Sequence, residues 1–175
     1  MTIALESMAI AMPHVAGHPN RQAFRGVLTL VGVVSDRPPA GARGHRVVLT
    51  QQTAEAALPS LLGMALDYAP SFDRHDARRK VGVITSAEIN GRELELHGYL
   101  YAKDFPEIVR EIAGRGKSRL FAGGVRQLGM SYEISDARVA DTKARVWTLT
   151  QVTFTGAAIL RRNKAAYRET WIELE

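Results

Sequence analysis

The chain has 175 residues, of which 46% are hydrophobic, and its 23 basic against 18 acidic residues give a net charge of +5. This length is typical of one domain with one buried core. The chain contains no cysteine, which excludes disulfide frameworks, thiolate metal sites and cysteine nucleophiles. Its most apolar stretch, residues 26–34, is too short to cross a bilayer, so we expect no membrane partner.

The first 22 residues show no sustained hydrophobic period and contain prolines and a glycine, which predicts an irregular N-terminal arm. Residues 1–16 carry Glu6 and no basic region, so we expect no secretory signal and take the cytoplasm as the compartment. The pattern of a folded domain extends over residues 23–167. Residues 168–175 are predicted to form a C-terminal tail.

The first predicted elements are two strands and a helix. Residues 24–34 are rich in β-branched side chains and residues 45–49 repeat that pattern, which predicts a longer and a shorter strand. A helix is expected at residues 54–66. Because proline does not fit a helix interior, this helix should begin or kink near Pro59.

A β-hairpin follows, in which residues 80–89 and 92–102 are joined by Asn90-Gly91, a pair that favours the two-residue type I′ turn. A short helix up to about Ala113 comes next. Further strands are predicted at residues 128–134, 137–139, 145–153 and 156–160. Many short strands with about two helices predict a β-rich α+β domain.

One of the five histidines, His75, lies in a context that favours catalysis. It lies in the polar segment 71–78 directly before a predicted strand, where an imidazole at the surface can still reach a neighbouring strand. The alternative interpretation is an ordinary exposed loop histidine. The other four have simple structural explanations in the arm or in strands: His14, His18, His45 and His97.

Ser131 lies in the predicted strand 128–134, on the same face as Gly129 and Glu133. A neighbouring glycine would leave room for a substrate backbone beside a nucleophilic serine. The competing interpretation is an ordinary serine on a polar strand face. The chain lacks a Gly-x-Ser-x-Gly motif, so the α/β-hydrolase arrangement is not predicted.

A third segment, residues 147–162, combines small and basic residues. Its three small residues 156–158 would allow a strand or a substrate to approach closely, and Arg161 and Arg162 follow almost directly. Arginine at this place could bind a carboxylate or support an oxyanion. It could equally belong to a basic loop after an edge strand.

Three segments in this order resemble the prohead maturation serine proteases of tailed bacteriophages: residues 72–84, residues 128–134, and residues 154–160 followed by 165–167. The fold of that family is similar to that of the herpesvirus capsid proteases, the assemblins. The resemblance covers roughly residues 23–167. It implies a β-barrel of short, mostly antiparallel strands flanked by about two helices.

The resemblance also implies roles for particular residues. His75 would be the general base and Ser131 the nucleophile of an acyl transfer, with no metal or organic cofactor. Arg161 and Arg162 occupy the place of the arginine pair that stabilises the oxyanion in the assemblin-like fold, beside Gly129.

The third catalytic member is left open. Where phage relatives commonly have an acidic residue and assemblins a second histidine, this chain has Thr153 and Thr155. Either threonine could orient the imidazole, or an acid from elsewhere, such as Asp76 or Asp67, could do so. A Ser–His dyad and a loss of activity are the remaining alternatives, because an absent orienting carboxylate lowers turnover by orders of magnitude.

The family's role implies a serine endopeptidase that cleaves scaffold and major capsid proteins, and itself, inside a phage procapsid in the bacterial host cytoplasm. The substrate would be an extended peptide that adds to a strand edge, and self-association is a further expectation. The first alternative is a catalytically silent scaffold or assembly factor of the same fold. The second is a basic nucleic-acid-binding β-domain, which the lack of aromatic residues among the basic groups disfavours.

Overall fold

The computed structural model describes residues 7–116 and 128–175, and within these ranges the chain forms a sheet of nine strands and two α-helices. The strands are β1 (Ser7–Ala9), β2 (Gln22–Leu30), β3 (Arg46–Leu49), β4 (Ala65–Asp67), β5 (Lys80–Asn90), β6 (Glu93–Leu100), β7 (Leu128–Val139), β8 (Val146–Arg161) and β9 (Trp171–Leu174). The helices are α1 (Gln51–Ala57), which continues into a 3₁₀ turn at Leu58–Leu61, and α2 (Pro106–Gly116). This architecture confirms the predicted β-rich α+β class with about two helices. Neither described helix has the length and apolar character needed to span a membrane.

The strands run in the order β3-β8-β4-β5-β6-β2-β9, while β1 pairs with β5 and β7 pairs with β8. Strand β8 organises this sheet, because one of its edges pairs in parallel with both β3 and β4 and its other edge pairs with β7 along most of its length. Helix α1 and the 3₁₀ turn close the gap between β3 and β4. Two hydroxyls of this segment hydrogen-bond to β8: Thr53 donates to the carbonyl of Leu149, and Ser60 accepts from the amide of Phe154.

The sheet curls so that β7 returns against β2. Gly26 of β2 shows how close the two strands are, since a Cβ built there would lie 2.8 Å from Sδ of Met130 and would also meet the carbonyl oxygen of Trp171. Only glycine allows this approach. Large side chains without measurable exposure fill the interior of the curl: Phe24, Leu49, Leu66, Ile84, Leu94, Leu96 and Ile108. Burying each of them contributes about 1.5–3 kcal/mol.

The predicted hairpin is confirmed as β5–β6, but its loop differs from the expected one. Asn90 pairs with Glu93, so the two loop residues are Gly91 and Arg92. Gly91 has φ +62°, whereas Arg92 is not among the residues with positive φ. A positive φ at the first loop residue alone is typical of a type II′ turn, in place of the predicted type I′.

Both ends that were expected to lie outside the domain contribute strands. In the predicted arm 1–22, β1 pairs with β5 and β2 already begins at Gln22. In the predicted tail 168–175, β9 pairs with β2. The physical reason is edge pairing, because an open strand edge offers unpaired N–H and C=O groups that even a short segment can satisfy.

The predicted helix at residues 54–66 is shorter and begins earlier. Helix α1 starts after Thr50, whose side chain accepts the N–H of Thr53 as an N-cap. Pro59 lies in the 3₁₀ turn, and the chain then extends into β4. The two strands predicted at residues 145–153 and 156–160 are one continuous strand, β8, whose partners on both edges keep it extended. This arrangement carries Asp67, at the end of β4, into the middle of the sheet.

Candidate active site

A cleft of about 840 Å³ lies beside β7, and the loop 39–45 forms part of its wall. His75, Ser131 and Glu133 all line this cleft. The stacked rings of His45 and Trp147, whose centroids are 4.5 Å apart, contribute to it as well. The structure thus brings His75 and Ser131, two residues far apart in the chain, to one cavity.

Strand β7 supplies the serine and a carboxylate. Ser131 lies opposite Ala158 of β8 and Glu133 lies opposite Gly156. Since alternate residues of a strand share a face, Ser131 and Glu133 point the same way, about 7 Å apart along the strand. A Cβ at Gly156 would lie 2.9 Å from Oε2 of Glu133, so the glycine leaves the space that this carboxylate occupies.

The imidazole comes from the connection between β4 and β5. Nδ1 of His75 lies 2.9 Å from Oε1 of Glu133, a hydrogen-bonding distance, and the side chain of His75 is 30% exposed. An ionised carboxylate can only accept a hydrogen bond, so the proton must be on Nδ1 and His75 is the donor. This tautomer leaves a lone pair on Nε2, as a general base requires.

A second carboxylate lies behind this pair. Asp67 is completely buried; its Oδ1 accepts the backbone N–H of Asp76 at 2.9 Å, and its Oδ2 lies 3.9 Å from Nδ1 of His75. The latter distance is too long for a hydrogen bond, so Glu133 is the direct partner of the imidazole. We call Asp67, His75 and Glu133 the site cluster.

The two carboxyl groups of the site cluster differ in acidity. Burial, and then the hydrogen bond with Glu133, raise the pKa of Asp67 to about 7. Burial alone would also raise the pKa of Glu133, but its hydrogen bonds with Asp67 and His75 outweigh burial and lower it. Below about pH 7 these shifts favour a proton on Asp67 and a negative charge on Glu133, beside the imidazole.

The residue types of the site cluster also occur in cation sites, and one polar atom from each member lies within 4.8 Å of the others. A cation bound through Nδ1 of His75 and Oε1 of Glu133 would have to replace the hydrogen bond between these two atoms. Two carboxylates and an imidazole also meet on the β5–β6 hairpin, where the half-buried Glu88, Glu95 and His97 form what we call the hairpin cluster.

The structure does not bring Thr153 or Thr155 to the imidazole. Thr153 pairs with Ser135, Thr155 is exposed, and in the described part of the chain neither makes a hydrogen bond to His75. Asp76, the other acid considered, contributes its backbone N–H to Asp67. The orienting position is occupied by Glu133, with Asp67 behind it.

The structure also separates Gly129 and the arginine pair from the cleft. A Cβ at Gly129 would lie 2.5 Å from Oγ1 of Thr170, so Thr170 fills the space that was expected to admit a substrate backbone. Arg161 pairs with Leu128, and Nε of Arg162 donates to the carbonyl of Arg168 at 2.6 Å. Neither arginine is among the residues that line the cleft.

Two charged residues of the cleft lining, Glu133 and Arg43, were not selected from the sequence. Glu133 carries a recognisable signal, since it shares a strand face with Ser131, but the resemblance points to an acid on the following strand. Arg43 lies in a glycine-containing loop with φ +50° and carries no sequence signal beyond its charge.

In the described ranges, no hydrogen bond joins Nε2 of His75 to Oγ of Ser131, although both residues line the cleft. Catalytic hydrogen bonds are often long or absent without substrate and tighten in the Michaelis complex. The cleft thus contains the hydrogen-bonded pair of His75 and Glu133, with Ser131 in the same lining but not hydrogen-bonded to the imidazole.

Comparisons with known proteins are limited to a distant structural similarity. No protein-family model matches the chain, and no curated protein matches it. Among solved structures, the chain is similar to the KSHV protease in complex with a hexapeptide phosphonate inhibitor, at a TM-score of 0.46 and 12% sequence identity. The match covers 79% of this chain and 59% of that protein, so the chain spans less than two thirds of its length. At this level of similarity no residue role is transferred.

Proposed function

We propose that this protein is a serine endopeptidase in which Ser131 is the nucleophile and His75 the general base. The observation that supports this proposal is the cleft in which Glu133 holds the imidazole by a 2.9 Å hydrogen bond, two residues along β7 from Ser131. An imidazole oriented by a carboxylate and placed near a hydroxyl is the arrangement that activates serine in hydrolases. Glu133 takes the orienting role.

The reaction follows from these positions. Nε2 of His75 takes the proton of Ser131 as Oγ attacks the peptide carbonyl, and Glu133 stabilises the imidazolium that forms. The imidazolium then gives its proton to the leaving amine, so the peptide bond breaks and an ester to Ser131 remains. Water, deprotonated by His75, attacks this ester and releases the acid, and the proton returns to Ser131.

We assign support of the oxyanion to Arg43 in place of Arg161 and Arg162. Arg43 lines the same cleft as Ser131, and positive φ values at Gly41 and Gly44 shape the loop that carries it. A cationic donor at this place would stabilise the negative charge that develops on the carbonyl oxygen.

The proposed substrates are extended segments of phage scaffold and major capsid proteins, and of the chain itself, cleaved during prohead maturation in the bacterial host cytoplasm. The three sequence segments that resemble prohead proteases support this role. The cleft wall fits it chemically, because apolar side chains line it beside the polar group at Ser131: Val47, Ile134, Val139, Trp147 and Leu149.

A serine-reactive phosphonate probe tests the chemistry. We expect intact mass to show one adduct on the wild type and on Ser135→Ala, a matched control because Ser135 lies in the same strand. Ser131→Ala should show no adduct. An adduct that persists in Ser131→Ala overturns the serine mechanism. A folded wild type that never reacts supports the silent assembly factor instead.

Co-expression with the scaffold and major capsid proteins tests the substrate. Wild type and Ser135→Ala should shorten these proteins to the same products, and Ser131→Ala should leave them intact. Probe labelling without any shortening would retain the serine hydrolase and overturn the prohead substrate.

A further inference from the structure

Asp67 is a charged residue type in a completely buried place. It ends β4, pairs with Lys80 of β5 and Ala158 of β8, and has no measurable exposure. Its Oδ1 has a donor in the backbone N–H of Asp76. Its Oδ2 is buried and, among the described residues, receives no hydrogen bond from any donor.

An orphaned buried carboxylate oxygen is costly unless it is itself the donor. Glu133 provides an acceptor nearby, because a carboxylate oxygen of Glu133 lies within 4.8 Å of a carboxylate oxygen of Asp67. Two carboxylates that share a dry site cannot both be ionised without strong repulsion. A proton on Oδ2 of Asp67, donated to Glu133, removes the repulsion and satisfies the orphaned atom.

We propose that Asp67 is a positioning residue of this site, which acts as a carboxylic acid: it donates a hydrogen bond to Glu133 and accepts one from the backbone of Asp76. Glu133 is thereby aimed at His75, and the segment that carries His75 is tied to β4. This role in catalysis rests on the proposed function, whereas the shared proton does not depend on it.

The groups that face Asp67 decide its response to pH. They are Glu133 from β7, His75 and the backbone of Asp76 from the connecting segment, and Lys80 from β5, while β8 presents the uncharged Ala158. Lys80 favours ionisation, but burial and Glu133 oppose it more strongly. Ionisation of Asp67 removes the donor to Glu133 and places two negative charges side by side.

The sign of the stability effect follows from the pKa of Asp67, which is about 7 in the folded chain against an ordinary value of 3.8. Between these values the folded state binds more protons than the unfolded state. The contribution of Asp67 is therefore fully present below about pH 4 and is lost as the pH rises to about 7.

Asp67→Asn is the decisive variant, because an amide can accept from Asp76 and donate to Glu133 but cannot ionise. We expect the difference in melting temperature between Asp67→Asn and wild type to shift in favour of the variant as the pH rises from 4 to 7. Asp141→Asn is the matched control, since Asp141 is exposed and also accepts a backbone N–H, from Lys143. The difference in melting temperature between Asp141→Asn and wild type should stay constant over this pH range. A constant difference for Asp67→Asn would overturn the shared proton.

Activity tests the positioning role separately. At pH 6 we expect Asp67→Asn to keep kcat/KM within about threefold of wild type and to lose less activity than wild type above pH 7. Asp67→Ala, which has neither bond, should lose about 100-fold, the typical effect of misplacing a catalytic group by about 1 Å. If Asp67→Asn loses as much kcat/KM as Asp67→Ala, the positioning role is overturned, even if Asp67→Ala unfolds in part. If wild type itself is inactive, the proposed function fails while the melting experiment still reports on the proton.

Discussion

The site cluster and the hairpin cluster contain the same chemistry in different surroundings. Each has two carboxylates and one imidazole with polar atoms within 4.8 Å of one another. In the site cluster one carboxylate is completely buried and the imidazole borders a cleft. In the hairpin cluster all three residues are half-buried, Glu88 lies directly opposite Glu95, and Nδ1 of His97 is 3.5 Å from Oε2 of Glu175.

The difference shows that two carboxylates and an imidazole in proximity are not enough to form a candidate active site. Water screens the charges of the hairpin cluster, so its carboxylates can remain side by side at small cost. Burial removes that screening in the site cluster and enforces a defined proton arrangement. In the proposed function, Ser131 on the same strand face as Glu133 adds a nucleophile to this arrangement.

The largest predicted effect on kcat distinguishes His75 of the site cluster from His97 of the hairpin cluster. His75→Ala should lower kcat on a peptide substrate by on the order of a million-fold, as loss of the base does in a serine protease. His97→Ala should leave kcat within about twofold. Because base and nucleophile act as a unit, adding Ser131→Ala to His75→Ala should cost little more. Similar losses from His75→Ala and His97→Ala would contradict the comparison.

Substitutions of the carboxylates next to these two histidines should differ almost as much in their effect on kcat. Glu133→Gln should lower kcat by about 10,000-fold, because an amide stabilises the wrong imidazole tautomer. Glu95→Gln, in the hairpin cluster, should have no measurable effect. The check is steady-state kinetics combined with circular dichroism. Full activity in Glu133→Gln would return the orienting role to another group or to a dyad.

The next largest effect on kcat concerns the cleft, which the residues of the hairpin cluster do not line. Arg43→Ala should lower kcat by about 100-fold if its guanidinium supports the oxyanion. Arg161→Ala, outside the cleft lining, should change kcat by less than about threefold. The reverse result would restore the arginine pair after β8 to the oxyanion role.

Space around the site cluster can be probed by adding one methyl group. Gly156→Ala would place a carbon 2.9 Å from Oε2 of Glu133 and 3.2 Å from the carbonyl of Ala65, and should cost about 1–3 kcal/mol of unfolding free energy. Gly114→Ala, whose Cβ would meet nothing within 4 Å in helix α2, should instead gain about 0.5–1 kcal/mol. Urea unfolding measures both. A neutral Gly156→Ala would show that Glu133 has room to move.

The smallest effect concerns the hairpin cluster alone. Glu88→Lys replaces a like-charged pair with an opposite-charged one across β5 and β6, and should stabilise the fold by about 0.2–1 kcal/mol. The gain should shrink at high salt because these groups are half-exposed. A destabilisation that salt does not change would mean that Glu88 contributes packing rather than charge.

Local sequence patterns predicted much of the fold and two members of the candidate site, His75 and Ser131. Alternation and turn residues were enough for the β5–β6 hairpin and for the strand that carries Ser131, because both depend on neighbours in the chain. The segment that carries His75 was recognisable for the same reason, as a polar connection before a strand.

The remaining members of the site depend on contacts between distant segments. Glu133 reaches the imidazole because β7 and β8 pair in the register that sets Gly156 opposite it. Asp67 lies in a strand of three residues that exists only because β5 and β8 flank it. Neither register is encoded in a local period, so Thr153 and Thr155 stood as candidates in the sequence while the acid came from the adjacent strand.

The hydroxyl of Thr170 links β7, the strand that carries Ser131, to the segment that precedes β9. It accepts the N–H of Met130 at 3.1 Å, donates to the carbonyl of Tyr167 at 2.9 Å and fills the space over Gly129. Met130, the residue next to Ser131, is thus held by a side chain forty positions later in the chain. Substitutions at Thr170 would therefore change the alignment of Ser131 while leaving every residue of the cleft lining in place.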